Sequence, residues 1–219
     1  MATEDLTTFT ETDPDSRLTV TSTRVSAEPI NLTNSGTTCL RKDYGASYFD
    51  ALDIDFAGRE ANNDSGTGAY DMVSFTTAVV NNGYTGSGAD DLHIGMNDDG
   101  GGGAQRIFFM RGSFTVYDSM NGGTIGNTYY MTLSRAASNA TATLLIYSDS
   151  GRTTLVDTLV VTGTVAYRYL MPFNHTNQSP TSKQHDIYYE NFDFNLTSPS
   201  SVGRGLTNSI VLNKRSLIS

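Results

Sequence analysis

Three carboxylates near residue 55 have the residue types and spacing that acid–base chemistry on a β-strand requires. Asp53 and Asp55 are two residues apart, and Glu60 follows on the same segment. Two acids on one face of a strand lie about 5 Å apart, the separation that retaining glycosidases use. The usual glycosidase pattern on a β-sandwich is Glu-x-Asp-x-x-Glu, but the first acid here is Asp and position 58 is Gly. The chain also has no Trp for sugar stacking, so we interpret Asp53 and Asp55 as outward-facing residues of a strand whose apolar residues face inward.

An acidic loop offers the hard oxygen ligands that Ca²⁺ prefers. Its carboxylates are Asp90, Asp91, Asp98 and Asp99. Two interpretations stay open: a calcium site formed by these four aspartates, or a solvated acidic loop. Residues 53–64 also have acids at the first and third positions of a calcium loop, but they lack the closing Glu and are interpreted as a chance match. We expect no cofactor other than this possible calcium.

The histidines and the single cysteine show no spacing typical of a nucleophile or a transition-metal site. His93, His175 and His185 form no His-Glu-x-x-His pattern. Cys39 is the one cysteine, which excludes an intrachain disulfide and a thiolate cluster. Together with the incomplete acid pattern, this predicts that the protein is not an enzyme.

Tyrosine is abundant, with twelve residues in the chain. Outward-facing tyrosines stack on sugars or anchor a protein interface, whereas inward-facing ones belong to the core. Tyr167, Tyr169 and Tyr188 lie in two strand-like segments and are the candidates for a glycan-binding or interface site. Strand alternation predicts that Tyr167 and Tyr169 share one face, with Arg168 on the other.

The elements that must position these residues are β-strands. Segments 129–135, 142–147 and 155–161 are rich in β-branched and aromatic residues, and Ser148–Gly151 between the last two predicts a β-hairpin in which Gly151 supplies a positive φ. Residues 18–25 alternate as a first strand, and the Gly, Asn and Asp residues of 58–69 predict a loop. No window has helical periodicity, and roughly a dozen strands at sandwich-like spacing predict an all-β fold.

Charge and hydropathy exclude two classes of partner. The net charge is −9, and the last acidic residue is Asp193, so the body of the chain is strongly acidic. An acidic surface repels phosphate, which argues against nucleic acid. No stretch approaches the roughly 20 apolar residues of a membrane span. The N-terminus is acidic and lacks an apolar signal segment, so we expect synthesis in a host cytoplasm.

The C-terminal segment differs from the rest of the chain. We divide the sequence into a domain at 1–195 and an arm at 196–219. The arm has only a thin apolar pattern and no acidic residue, so it has no core of its own and is expected to dock on a neighbouring molecule. Its proposed contact residues are Arg204, Ile210, Leu212, Lys214, Arg215 and Leu217.

Several framework motifs together resemble a known group of domains. They are the segments 129–135, 145–155, 167–170 and 189–193, and the opening Lys42-Asp43-Tyr44-Gly45 followed by Tyr48-Phe49-Asp50. Over roughly residues 5–195 the chain is similar to the concanavalin A-like, laminin-G-like jelly-roll domains that recur in phage structural proteins and environmental viral sequences. The resemblance implies an antiparallel two-sheet jelly roll whose first and last strands lie side by side. It does not imply a ligand, because this architecture serves many functions.

Two functions are compatible with the resemblance. The first is a non-catalytic structural protein of a phage virion, such as a capsid decoration or head-surface protein. Its partners would be the major capsid protein and copies of itself, and the arm would tie it to them. The alternative is a carbohydrate-binding, lectin-like module, on its own or on a host-recognition tail part, with surface glycans as partners.

Overall fold

The computed structural model describes residues 2–14, 16–32, 38–63, 69–78, 89–98, 104–112, 115–177 and 183–195. A 3₁₀ turn at Leu6–Thr8 is the one helical element in these ranges. The strands, in chain order, are β1 (Ala2–Thr3), β2 (Thr10–Thr12), β3 (Thr19–Val20), β4 (Arg24–Leu32), β5 (Cys39–Asp43), β6 (Leu52–Asn63), β7 (Ala69–Thr76), β8 (Leu92–Asp98), β9 (Ala104–Arg111), β10 (Val116–Thr124), β11 (Thr128–Arg135), β12 (Thr141–Tyr147), β13 (Leu155–Thr162), β14 (Tyr169–Asn177) and β15 (Lys183–Phe194).

The strands form two antiparallel sheets, which confirms the all-β sandwich. The first sheet has the order β13-β12-β11-β6-β15-β4-β3, with β1 paired to β15. The second sheet has the order β10-β9-β8-β7-β14-β5-β2. Ala2 pairs with Phe194 and Thr3 with Asp193, so the first and last strands lie side by side as expected.

Alternating side chains build the core between the sheets. In β11 every second residue is buried, and in β6 Leu52, Ile54 and Phe56 point inward while Asp53 and Asp55 lie on the outer face. Side chains with a period of two place one full row against the opposite sheet. The rings of Phe56 and Phe192 stack in this core, 5.3 Å apart.

Two boundaries differ from the sequence prediction. The expected strand at 18–25 is a tight hairpin, because Thr21 N–H donates to the Arg24 carbonyl and Val20 pairs with Val25. The predicted loop at 58–69 is wrong for its first part, since β6 continues to Asn63. Gly58 suits this strand because an added Cβ would lie 2.8 Å from atoms of both Met96 and Tyr189. The same strand also removes residues 53–63 from any calcium loop.

The predicted β12–β13 hairpin is confirmed, but its left-handed residue is Arg152 rather than Gly151. Arg152 has φ 53°, and its N–H donates to the Asp149 carbonyl at 3.0 Å. The Asp149 carboxylate accepts the backbone N–H groups of Thr153 and Thr154. These bonds hold the pKa of Asp149 below its usual range. The Asp149 carboxylate holds the backbone of the loop in place, and the positive φ falls on Arg152 instead of Gly151.

None of the helical residues in the described ranges forms a segment long and apolar enough to span a membrane.

Candidate functional site

The paired aspartates of β6 are held in a structural network on the outer face of the first sheet. Thr132 Oγ1 donates to Asp55 at 2.5 Å, Asn195 Nδ2 donates to the same carboxylate at 3.1 Å, and Arg152 Nε lies 3.4 Å from it. The Asn195 backbone N–H also donates to the Asp53 carbonyl. These contacts tie the chain after β15 to β6 and engage the Asp55 carboxylate within the fold.

Glu60 does not join them, because it lies on the opposite face of β6. Its side chain is buried inside the sandwich, where Gln105 Nε2 lies 3.5 Å from one carboxylate oxygen. A general acid and its partner must both face the same substrate. The three acids therefore do not converge on one cleft.

The two aspartates directly before β8, Asp90 and Asp91, make contacts within the fold. Asp90 forms an ion pair with Arg111 at 2.7 Å. Asp91 is buried and accepts the Thr77 N–H at 3.1 Å. Asp99 and the side chain of Asp98 lie outside the described residues. In the described part of the chain, no three His, Cys, Asp or Glu side chains are grouped closely enough to share a metal.

Tyr167 is a core residue whereas Tyr169 is half-buried, so the prediction that the two tyrosines share one face is wrong. It lies just before β14, bridged to Phe49, and its ring is fully buried. Its hydroxyl donates to the Asp90 carbonyl at 3.1 Å, and burial raises its pKa to about 12. The irregular chain before β14 breaks the strict alternation on which the prediction depended.

Arg135, on β11 of the first sheet, binds the backbone close to Tyr167 and Phe49. Its buried guanidinium donates to the backbone carbonyls of Val165, Phe49 and Asp50, at 2.6 and 2.7 Å for the last two. It also lies 5.3 Å from the centre of the Tyr167 ring. One side chain thus joins three separate segments at this end of the sandwich.

Tyr169 is half-buried and lies beside an exposed ion pair. The Arg168 guanidinium is 5.1 Å from the centre of its ring and bonds Asp43 through two nitrogens, at 2.8 and 2.7 Å. This pairing with Arg168 lowers the pKa of Asp43 to about 2. The Tyr169 ring therefore lies beside the Arg168–Asp43 ion pair and already contacts the Arg168 guanidinium.

Tyr188 is mostly buried on the outer face of the first sheet, with 7% of its surface exposed. The Arg24 guanidinium lies 4.1 Å above its ring, and Arg24 also pairs with Glu190 at 2.7 Å. Its hydroxyl lies 2.9 Å from Thr128 Oγ1. This last contact connects Tyr188 to a neighbouring groove.

We call this depression, which is on the first sheet, the Tyr130 groove. It has a volume of about 400 Å³ and is lined by Asn127, Thr128, Tyr129, Tyr130, Ser148 and Val156. Tyr130 and Tyr147 are direct cross-strand partners with half-exposed side chains. The groove therefore combines an aromatic ring with two hydroxyls and a primary amide.

The turn before β11 fixes one end of the groove. Gly126, with φ 85°, donates its N–H to the Glu60 carbonyl at 2.8 Å, and its own carbonyl accepts Arg59 Nε at 2.9 Å. Tyr129 points inward and its hydroxyl accepts the Thr124 N–H. Alternation then places Tyr130 outward, a signal already present in the Tyr129-Tyr130-Met131 pattern that the tyrosine prediction did not use.

A second, larger depression of about 490 Å³ lies at the other end of β11. It is lined by Ala51, Leu52, Asp53, Ser134, Arg135, Ala136, Asn139, Thr141 and Thr143. None of these described lining residues is aromatic, and the Arg135 guanidinium donates to backbone carbonyls. The proposed contact residues of the arm, at 204–217, lie outside the described residues.

Comparison with known proteins identifies the fold. No protein-family model and no curated protein match the sequence. A functionally unknown protein from Saccharomyces cerevisiae aligns with 89% of this chain and 98% of its own, at 12% identity and TM-score 0.53. The VIP36 exoplasmic/lumenal domain, solved with Ca²⁺ and Man3GlcNAc, aligns over 86% and 85% at 12% identity and TM-score 0.50. Winged bean acidic lectin, solved with methyl-α-D-galactose, aligns over 84% and 86% at 12% identity and TM-score 0.39.

At these identities the likeness concerns architecture. The chain has a concanavalin A-like jelly-roll fold, as its framework motifs implied.

Proposed function

We propose that this chain is a non-catalytic, lectin-like module that binds a glycan in the Tyr130 groove. The observation that carries the proposal is the chemistry of that groove. A sugar presents an apolar face of C–H groups and a rim of hydroxyls, which require an aromatic surface and several hydrogen-bonding groups. Tyr130 supplies the first, and Asn127, Thr128 and Ser148 supply the second.

The neighbouring structures support the class of ligand. The VIP36 domain shares the fold over most of both chains and was solved with a mannose-containing glycan. Lectins of this fold are not enzymes, and Asp53 and Asp55 are tied to Asn195, Thr132 and Arg152 in a structural network. Both facts favour binding without catalysis.

A glycan array tests the proposal with the intact chain. We expect selective binding to a subset of glycans, with loss of signal for a Tyr130→Ala variant at equal protein concentration. An absence of binding to a broad array, together with no response to free sugars at millimolar concentration, would overturn the proposal.

A second candidate is a structural protein of a phage virion, and one edge of the sandwich favours it. β10 and β13 form adjoining edges of the two sheets, joined where Val160 N–H donates to the Asp118 carboxylate at 3.0 Å. Exposed large apolar side chains gather there: Tyr117, Leu155, Val156 and Val160. Such an edge suits a protein contact, and the arm at 196–219 would add a second one.

Light scattering of the intact chain and of a chain that ends at residue 196 separates the two candidates. A closed oligomer that requires the arm would support the virion role, including localisation in the particle and capsid partners. A monomer indifferent to the arm would contradict the virion role and favour the lectin-like module.

A further inference from the structure

The outer face of the second sheet carries a buried cluster that the proposed glycan site does not use. We call it the methionine face and define it by Met72, His93, Phe108, Met110 and Met171. All five side chains are at most 1% exposed. Met72, Phe108 and Met110 pack together in a cluster separate from the core between the sheets.

Strand register places the sulfur-bearing residues around His93. Met110 on β9 is its direct cross-strand partner. On its other side, His93 pairs with Ser74 on β7, and Ser74 pairs in turn with Met171 on β14. Met72 is two residues from Ser74 on the same face of β7, which makes it a diagonal neighbour of His93.

His93 is oriented as a ligand would be. Its Nδ1 lies 2.8 Å from Ser74 Oγ, and Asn174 Nδ2 lies 3.4 Å from the same oxygen. Its Nε2 is buried and has no hydrogen-bond partner among the described residues. A metal-binding histidine typically donates its other ring N–H to a fixed acceptor. With the proton on Nδ1 and Ser74 as acceptor, Nε2 carries no proton and its lone pair is available to a ligand.

The burial of the ring suits the same role, because His93 is fully buried. An unpaired buried ring nitrogen carries a desolvation cost that a bound cation would remove. The ring of Phe108 covers Gly95, which is two residues from His93 on β8. A Cβ added at Gly95 would lie only 2.2 Å from Cζ of this ring.

We propose that His93 Nε2 and the thioethers of Met110 and Met72 bind a soft monovalent cation, Cu(I) in the cell and Ag(I) as a probe. Thioether sulfur and neutral imidazole are the donor types that select Cu(I) over hard cations such as Ca²⁺. Met171 is the next sulfur donor within the same row.

Cys39 must be separated from this site in any test. It is on the second sheet, where it pairs with Asn174, and burial raises the pKa of its thiol. Its sulfur is a soft donor once deprotonated. A Cys39→Ala background removes this alternative ligand.

The experiment is a titration of the full chain, in the Cys39→Ala background, with Ag(I) and with Cu(I) under a chromophoric Cu(I) competitor. We expect one equivalent to bind, with at least tenfold weaker affinity for Met110→Leu and for Met72→Leu. Met131→Leu is the matched control, because Met131 lies in the core between the sheets. Leucine keeps the approximate volume of methionine, so all three variants are expected to fold.

A second readout follows His93 directly. Nitrogen NMR of the imidazole is expected to show a large shift at Nε2 of His93 on addition of Ag(I), and no comparable shift at His175. Failure to compete for Cu(I), equal loss of affinity in the Met131→Leu control, or an unchanged His93 spectrum would each overturn the proposal.

Discussion

The side-chain oxygens of Thr128 and Tyr188 lie 2.9 Å apart and join β11 to β15 at the rim of the Tyr130 groove. Tyr188 is itself held by Arg24, whose guanidinium lies above its ring and pairs with Glu190. The Thr128 hydroxyl is therefore fixed by a chain of contacts that crosses from β11 to β4. A fixed hydroxyl loses less entropy when it binds a sugar.

Tyr130→Ala is expected to weaken glycan binding by about tenfold or more, since loss of a stacked ring costs on the order of 1–2 kcal/mol. Calorimetry with the best glycan from the array measures the change. Tyr117→Ala is the matched control, because Tyr117 is 60% exposed on β10 and does not line the groove. Equal affinities for the two variants would show that Tyr130 is not a contact residue.

Arg135→Met is expected to destabilise the fold by about 3 kcal/mol, because it leaves buried carbonyls of Phe49, Asp50 and Val165 without their donor. Urea unfolding monitored by circular dichroism gives the free energy. Arg168→Met removes an exposed ion pair with Asp43 and is expected to change stability little. The role assigned to Arg135 is wrong if both variants unfold at the same urea concentration.

His93 is expected to make stability pH-dependent in a defined window. Its folded pKa of about 3 lies below the unfolded value of about 6.5, so between these values the unfolded chain binds a proton that the folded chain does not. Stability contributed by neutral His93 is complete above pH 6.5 and falls as the pH is lowered toward 3. The slope approaches about 1.4 kcal/mol per pH unit.

The measurement is the free energy of unfolding from pH 7 to 4 for the wild type and for His93→Gln. Acidic residues contribute equally to both curves, so the difference between them isolates His93. Parallel curves would contradict a buried neutral histidine.

Glycan binding is expected to be independent of calcium. Asp90 is paired with Arg111, and Asp91 accepts the Thr77 N–H, so neither carboxylate is open to a cation without breaking these contacts. Thermal melting and glycan affinity are therefore expected to be unchanged by EDTA. A fall in either one that added Ca²⁺ reverses would instead support the site predicted from Asp90, Asp91, Asp98 and Asp99.

The sequence patterns predicted the sheets better than the site. Alternation in β6 and β11 is regular, so the outward position of Asp53 and Asp55 followed directly from a period of two. Tyr167 was misplaced because it precedes β14 in an irregular bridge to Phe49, and no local pattern reports such a tertiary pairing. In the β12–β13 turn the Asp149 carboxylate organises the backbone, which moved the left-handed residue to Arg152.

Long-range register also explains what the sequence could not show. Tyr130 and Ser148 become neighbours only when β11 and β12 pair, and His93, Met110 and Met72 meet only across three strands. Their separations along the chain carry no motif. Such sites require the fold before their chemistry is visible.

Amide chemical-shift mapping with the best glycan from the array tests the central claim most directly. The account predicts saturable shifts at Asn127, Thr128, Tyr130, Ser148 and Val156, with little change across β7 and β8 of the second sheet. Shifts concentrated on Ser74, His93 and Asn174, or no shifts at any sugar concentration, would contradict a glycan site in the Tyr130 groove.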